Sequence, residues 1–308
     1  MQYDLAIIGG GPAGVSGGIY ASRKQLKTIF ITENFGGQSV VSEDIQNWIG
    51  FPHISGTELA KALEQHLRTY AGNIVNIKTG TRVKTISKSG VGFTLSTEGG
   101  ESFETKSILL AVGSTRRKIT VPGSDKFENR GITYCASCDG PLFSGQDVAV
   151  IGGGNAGFET AAQLSAYCKS VSIIHKNDFF KGDEVTVKKV LSKENVRGIL
   201  NVELLSIEGE KSVTGLKYKD KVSGETITLS LQGVFVEIGL IPSTNFVKDI
   251  VELNKLGQIL IDPKTQQTKT KGIWASGDCT DSLYHQNNIA SGDAVRALED
   301  IYVHLHTK

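Results

Sequence analysis

The sequence predicts an α/β fold built from two parallel βαβ units, the second inserted into the first. Three observations carry that prediction. A glycine-rich turn, Gly9-Gly10-Gly11-Pro12-Ala13-Gly14, follows an apolar run at the start of the chain, and a second, Gly152-Gly153-Gly154-Asn155-Ala156-Gly157, follows another apolar run, their first glycines 143 residues apart. Polar breaks fall at residues 114–123, which contain Pro122, and at Gly239-Leu240-Ile241-Pro242-Ser243. With 308 residues, 39% of them hydrophobic, the chain can bury two ordinary cores.

The elements follow in order. Tyr3 to Ile8 reads as a buried strand, Val15 to Arg23 as a helix, and Lys27 to Ile31 as a second strand ending near Glu33. The same grammar recurs as a strand at Asp147 to Ile151, a helix at Phe158 to Tyr167 and a strand at Ser170 to Ile174. Further strands are expected at Ser107 to Gly113, at Gly233 to Ile238 and just before Gly277-Asp278. These define two Rossmann-like dinucleotide-binding domains. The outer one is expected at residues 1–113 and 243–308, the inner one at 116–241, and two short crossings permit a hinge rotation.

In the first glycine turn, Gly9 allows the tight bend, Gly11 lets the backbone approach a pyrophosphate, and Gly14 lets the helix pack on the strand. The phosphate would meet the unpaired N–H groups at the helix start. Glu33, 24 residues after Gly9, stands where an acid accepts a hydrogen bond from a ribose hydroxyl. The second turn, with Gly152, Gly154, Asn155, Ala156 and Gly157, is equally competent for a pyrophosphate. Its specificity end differs, because the second strand runs into His175-Lys176-Asn177-Asp178-Phe179-Phe180-Lys181, with neither an acid for NADH nor an arginine fork for the 2′-phosphate of NADPH. His175, Lys176 and Lys181 either offer weaker cationic contacts to a phosphate or form a solvated basic turn.

Cys135-Ala136-Ser137-Cys138-Asp139 lies just upstream of the second turn. Two sulfurs separated by two residues close and reopen a small ring with little backbone movement, and Asp139 can carry the proton of a leaving thiolate. Zinc is not expected, since no second Cys-x-x-Cys or spaced Cys/His pair supplies the remaining ligands. Cys168 and Cys279 read as packing residues, and His304 and His306 as part of a frayed tail.

A formal charge of +1 supplies no broad field for nucleic acid or anionic lipid, so neither partner is expected. No apolar run approaches the roughly 20 residues of a membrane span, and a strand beginning at Tyr3 leaves no room for a signal peptide, so the expected location is cytoplasmic.

Together these residues resemble the low-molecular-weight thioredoxin reductases and the related flavoprotein subunit of alkyl hydroperoxide reductase. The resemblance rests on the two glycine turns, Gly36-Gly37-Gln38, Asn47-Trp48 before Gly50-Phe51-Pro52, Cys135 to Gly140, and Gly277-Asp278, and it spans essentially the whole chain. It implies FAD in the outer domain, held by Gly9, Gly11, Pro12, Ala13, Gly14, Glu33, Gly37, Gln38, Asn47, Gly277, Asp278 and Gln286. It also implies a homodimer and an inner domain that rotates to offer the dithiol and the nicotinamide to the flavin in turn, with Cys138 nearer the flavin. Cys138 to Phe143 and Asp220 to Gly224 are more similar to the peroxide-reductase flavoprotein.

The expected activity is therefore an FAD-dependent disulfide reduction, with Cys135, Cys138 and Asp139 as the catalytic residues and electrons passing from NADPH or NADH to thioredoxin or a thioredoxin- or glutaredoxin-like protein. The family's His-Arg-Arg pattern survives only as His175-Lys176-Asn177, which leaves ferredoxin or another reduced carrier as an alternative donor. A peroxiredoxin system could stand as acceptor in place of thioredoxin, and a non-catalytic flavin redox sensor would carry the same residues. A ferredoxin–NADP reductase needs no dithiol, and the cysteine pair argues against it.

Overall fold

The computed structural model describes residues 2–42, 44–90 and 92–307. The chain divides into two compact units, Met1–Thr115 with Ile241–Lys308, and Arg116–Leu240.

The first unit contains β1 (Gln2–Ile8), α1 (Pro12–Arg23), β2 (Thr28–Ile31), α2 (Gly56–Ala71), β3 (Val75–Lys78), β4 (Val83–Ser89), β5 (Gly92–Thr97) and β6 (Ser102–Leu110). The chain then leaves through β7 (Ser114–Arg116). The second unit contains β8 (Ile132–Thr133), α3 (Ala136–Asp139), β9 (Asp147–Ile151), α4 (Asn155–Leu164), β10 (Ser170–Ile174), α5 (Glu184–Leu191), β11 (Val196–Ile199), β12 (Val202–Gly209), β13 (Val213–Asp220), β14 (Thr226–Ser230) and β15 (Gly233–Val236). The return runs through β16 (Leu240–Pro242), which pairs with β7, and the chain ends with β17 (Ile273–Ala275) and α6 (Asn287–Thr307).

The first sheet has the order β3-β2-β1-β6-β5-β4. β1 pairs in parallel with β2 and β6, while the far edge of β6 forks: Ser102–Thr105 pairs antiparallel with β5, and Ile108–Leu110 pairs in parallel with β17. The apolar run that predicted β1 is buried on both faces, as expected for a central parallel strand. Leu5 and Ile7 pack with Val15, Ile19, Leu63, Leu67 and Leu298 beneath the helices, whereas Ala6 and Ile8 pack on the opposite face with Phe93, Leu95, Val247 and Ile259.

The second unit repeats this arrangement with the all-parallel order β11-β10-β9-β15-β8. Val148 and Val150 of β9 face Phe158, Ala161 and Leu164 of α4, and Ala149 and Ile151 face a core containing Val202, Ile207 and Leu216 of the antiparallel β12-β13-β14 sheet. The fold is thus α/β, two Rossmann-like units with the second inserted into the first.

Three sequence expectations are corrected. Helices α1 and α4 begin at Pro12 and Asn155, each three residues earlier than predicted, because the helical turn starts inside the glycine motif itself. Pro12 at the first helical position has a φ suited to a helix start and lacks an N–H that would have no partner there. The tail is no frayed end: α6 runs to Thr307 and buries Ala290, Ala294, Ala297, Leu298 and Ile301 at helical spacing. It is clamped by Trp274, whose Nε1–H donates to Asp300 Oδ2 at 2.9 Å and whose ring meets His304 edge-on at 5.2 Å. No helix among the described residues is long and apolar enough to cross a membrane.

Trp274 is fully buried, so Trp274→Ala should cost about 3–5 kcal/mol, read from urea unfolding. Burial pushes the Cys279 thiol up to about 12 and the Cys168 thiol up to about 11. Iodoacetamide at about pH 8 should therefore alkylate Cys135 and Cys138 of the reduced, folded protein and spare Cys168 and Cys279 until it is unfolded. Mass spectrometry of the labelled peptides checks this.

Candidate active site

The two glycine turns are built alike. Gly9 has φ +117°, and a Cβ there would lie 2.1 Å from the Ala111 carbonyl oxygen; Gly152 has φ +133°, with a Cβ 2.1 Å from the Glu237 carbonyl oxygen. A Cβ on Gly14 or Gly157 would lie 1.9 Å from the carbonyl oxygen of Gly9 or Gly152. The third glycine faces the other way: nothing stands within 4 Å of a Cβ on Gly154, and for Gly11 the nearest atom is the Gly37 Cα at 3.9 Å. Gly11 and Gly154 are also the N-caps of α1 and α4, extended in backbone and without side-chain caps, and neither first turn carries an acid. Each helix thus presents unpaired N–H groups to an open, glycine-lined face, an arrangement competent for a pyrophosphate.

In the first unit, residues far apart in sequence meet beside this turn. Gln38 Nε2 donates to Ser114 Oγ at 3.3 Å and to Asp278 Oδ2 at 3.5 Å, and Asn47 Nδ2 donates to Gln286 Oε1 at 3.2 Å. Gly277, at φ +77°, lies between α1 and α6, where a Cβ would stand 3.3 Å from that of Ala290 and 3.5 Å from that of Ala13. Gly37 lies at φ +56° at the start of the short 3-10 turn Gly37–Val41. Glu33 follows β2 and is exposed, its carboxylate bound by Arg82 through Nε at 2.8 Å and through Nη2. Sequence reasoning missed Arg82 and Ser114, which no local motif marks.

In the second unit, His175 packs against Gly153 of the glycine turn. Its ring is buried, packed near Phe180, and Nδ1 accepts the Gly153 N–H at 3.1 Å. Burial, with Lys181, Lys176 and Lys221 nearby, depresses its pKa, so the ring is a neutral buttress of the glycine turn. Lys176 and Lys181 are exposed. The segment is tethered by Lys181 N–H to the Gly153 carbonyl at 2.7 Å and by Asp183 N–H to Asn155 Oδ1 at 2.7 Å. Glu237, also missed, is a mostly buried acid at the end of β15; it accepts from Thr160 Oγ1 at 2.9 Å, and burial raises its pKa against the opposing pull of Arg116.

Cys135 and Cys138 form a disulfide with Cα atoms 5.3 Å apart, on the short helix α3 that continues from β8. Both are partly exposed, and the Cys138 N–H donates to Cys135 Sγ at 3.2 Å. Asp139 Oδ2 accepts from Thr133 Oγ1, and Ser137 Oγ donates to Gln163 Oε1 of α4 at 3.2 Å, which joins the cysteine turn to the helix that begins at the second glycine motif. Among the described residues, no group of three or more His, Cys, Asp or Glu side chains could hold a metal ion.

Comparison with known proteins identifies the family and the fold. The pyridine nucleotide-disulphide oxidoreductase family matches residues 3–294. A Bacillus subtilis protein named NADH dehydrogenase is 40% identical over 295 residues, covering 96% of this chain and 57% of that protein. An alkyl hydroperoxide reductase subunit of Escherichia coli is 40% identical over 296 residues, with the same two coverages. The chain thus spans a little over half the length of these relatives. Thioredoxin reductase from Streptococcus pyogenes superposes with a TM-score of 0.91 at 31% identity, covering 100% of this chain and 99% of that one. The Giardia duodenalis thioredoxin reductase gives 0.90 at 30% identity, covering 97% of each chain. The chain carries a Cys135–Cys138 disulfide and belongs to the pyridine nucleotide-disulphide oxidoreductase family, whose cofactors are FAD and NAD(P)H.

Proposed function

We propose that this protein is a disulfide reductase that draws two electrons from a pyridine nucleotide and delivers them through Cys135 and Cys138 to the disulfide of a thioredoxin-like protein. The observation that carries the proposal is a bonded, partly exposed Cys-x-x-Cys with an acid attached, in the same unit as an open-faced glycine turn. The paired side chains Gln38–Asp278 and Asn47–Gln286, with Gly9, Gly11, Pro12, Ala13, Gly14, Glu33, Gly37 and Gly277, would hold FAD. Gly152, Gly154, Asn155, Ala156 and Gly157 would hold the nucleotide pyrophosphate. When bound, FAD supplies the two-electron relay between nucleotide and disulfide.

The chain's own residues do the rest. Reduction breaks the Cys135–Cys138 bond and leaves a dithiol. The Cys138 N–H stabilises negative charge on Cys135 Sγ, so Cys135 passes its thiol proton to Asp139 and becomes the attacking thiolate. It attacks one sulfur of the partner disulfide, forms a mixed disulfide and expels the partner's other thiolate, which takes a proton from Asp139. Cys138 then gives its proton to Asp139 and attacks the Cys135 sulfur of the mixed disulfide, which restores the Cys135–Cys138 bond, breaks the bond to the partner and expels the partner's second sulfur as a thiolate. Thioredoxin and the peroxide-reducing proteins implied by the relatives' names are the acceptor classes to test first.

The neutral His175 favours NADH over NADPH, because it removes one cation from the place where a 2′-phosphate would be gripped and leaves lysines as point charges.

Anaerobic bleaching of the FAD-loaded protein should be about tenfold faster with NADH than with NADPH, the consequence of about one charge-assisted contact. Bleaching by reduced ferredoxin alone would remove the pyridine nucleotide from the scheme. Cys138→Ser should trap a purified thioredoxin as a mixed disulfide on Cys135, visible on non-reducing gels; no mixed disulfide, or turnover at the parental rate, refutes the exchange.

A further inference from the structure

The reading above gives Asp139 a proton to deliver, and delivery requires the carboxyl to be held at the sulfurs. Thr133 is the last residue of β8, where it is paired with Phe235 of β15, and it is 7% exposed. A hydroxyl buried to that extent needs partners. Both of its hydrogen-bonding capacities go to the cysteine turn: Oγ1 accepts the Cys135 N–H at 3.4 Å and donates to Asp139 Oδ2. The turn is closed from the other side by Asp139 N–H to the Cys135 carbonyl at 3.0 Å. One side chain on a rigid parallel strand therefore contacts both the first cysteine and the acid.

We propose that Thr133 is a positioning residue for proton delivery in the dithiol exchange, acting through Asp139. Its hydrogen bonds go to the Cys135 N–H and the Asp139 carboxyl rather than to a sulfur. Its bond selects the carboxyl orientation in which Asp139 meets the departing thiolate. The inference rests on the disulfide-reductase reading and deepens it. The exchange it serves is balanced: the Cys135 thiolate forms one S–S bond as the substrate S–S bond breaks, the electron pair leaves on the expelled sulfur, and the Asp139 proton neutralises it. Cys138 then gives its proton to Asp139 and attacks the Cys135 sulfur, so the internal disulfide forms as the mixed disulfide breaks and the second substrate sulfur leaves with the electron pair as a thiolate.

The test uses FAD-loaded protein reduced with dithiothreitol, desalted anaerobically and mixed with either of two disulfides. Hydroxyethyl disulfide expels an alkyl thiolate that needs a proton, whereas 5,5′-dithiobis(2-nitrobenzoate) expels an aromatic thiolate that leaves unprotonated. The ratio of the two single-turnover rates is the readout, and a general loss of fold would not move it selectively. Thr133→Val and Thr133→Ala should each lower the alkyl-to-aromatic ratio by about tenfold, against about 100-fold for Asp139→Asn, and Thr133→Ser should restore it. Added to Asp139→Asn, Thr133→Val should lower the ratio no further, since it acts through the missing acid. A parental ratio in both Thr133→Val and Thr133→Ala, or a full multiplicative effect on top of Asp139→Asn, overturns the role of Thr133 alone. A parental ratio in Asp139→Asn overturns the proton donor itself, and the assignment of Thr133 falls with it.

Discussion

Everything chemical in this protein depends on a strand-end carbonyl lying against a glycine that has no Cβ. Ala111 O over Gly9 and Glu237 O over Gly152 occupy the volume that any side chain would need. The second contact of each motif, Gly14 on the Gly9 carbonyl and Gly157 on the Gly152 carbonyl, presses the helix onto the strand just behind it. With both contacts satisfied, Gly11 and Gly154 are left facing open space and the helix starts with unpaired N–H groups. Close packing on one side of the turn is the reason for openness on the other.

The same carbonyls join the glycine motifs to the rest of each unit. Ala111 follows β6 and Glu237 follows β15, the strands that pair with β1 and β9. Just beyond them lie β7 and β16, the paired segments through which the chain passes between the units. In the second unit, β15 also carries β8, and β8 leads directly into the cysteine turn. The dithiol and the nucleotide motif are therefore registered to each other through one sheet, with Thr133 on the edge strand, Asp139 of α3 bonded to it, and Glu237 beside the glycine turn.

Electrostatics at the second motif follow from that packing. A basic segment, His175-Lys176 with Lys181, is folded back onto Gly153 by backbone bonds, which buries the histidine and leaves the lysines in solvent. Once Nδ1 accepts an amide proton, charging the ring would require displacing that bond inside a buried site near three lysines. Composition suggests a cationic patch; burial makes one of its members neutral.

Periodicity, glycine placement and cysteine spacing alone determined the βαβ units, the helix-start glycines and the cysteine pair with its adjoining acid. These are local properties, because a buried strand, a tight turn and a short ring closure each depend on residues adjacent in sequence. Tertiary structure decided what required distant partners: that Gln38 meets Asp278 and Asn47 meets Gln286 about 240 positions away, that Arg82 binds Glu33, and that Trp274 anchors α6. It also decided the charge of His175 and the attachment of Asp139 to Thr133. Burial and hydrogen-bond partners are set by the sheet's register and by what packs over it, which neighbours in sequence do not specify.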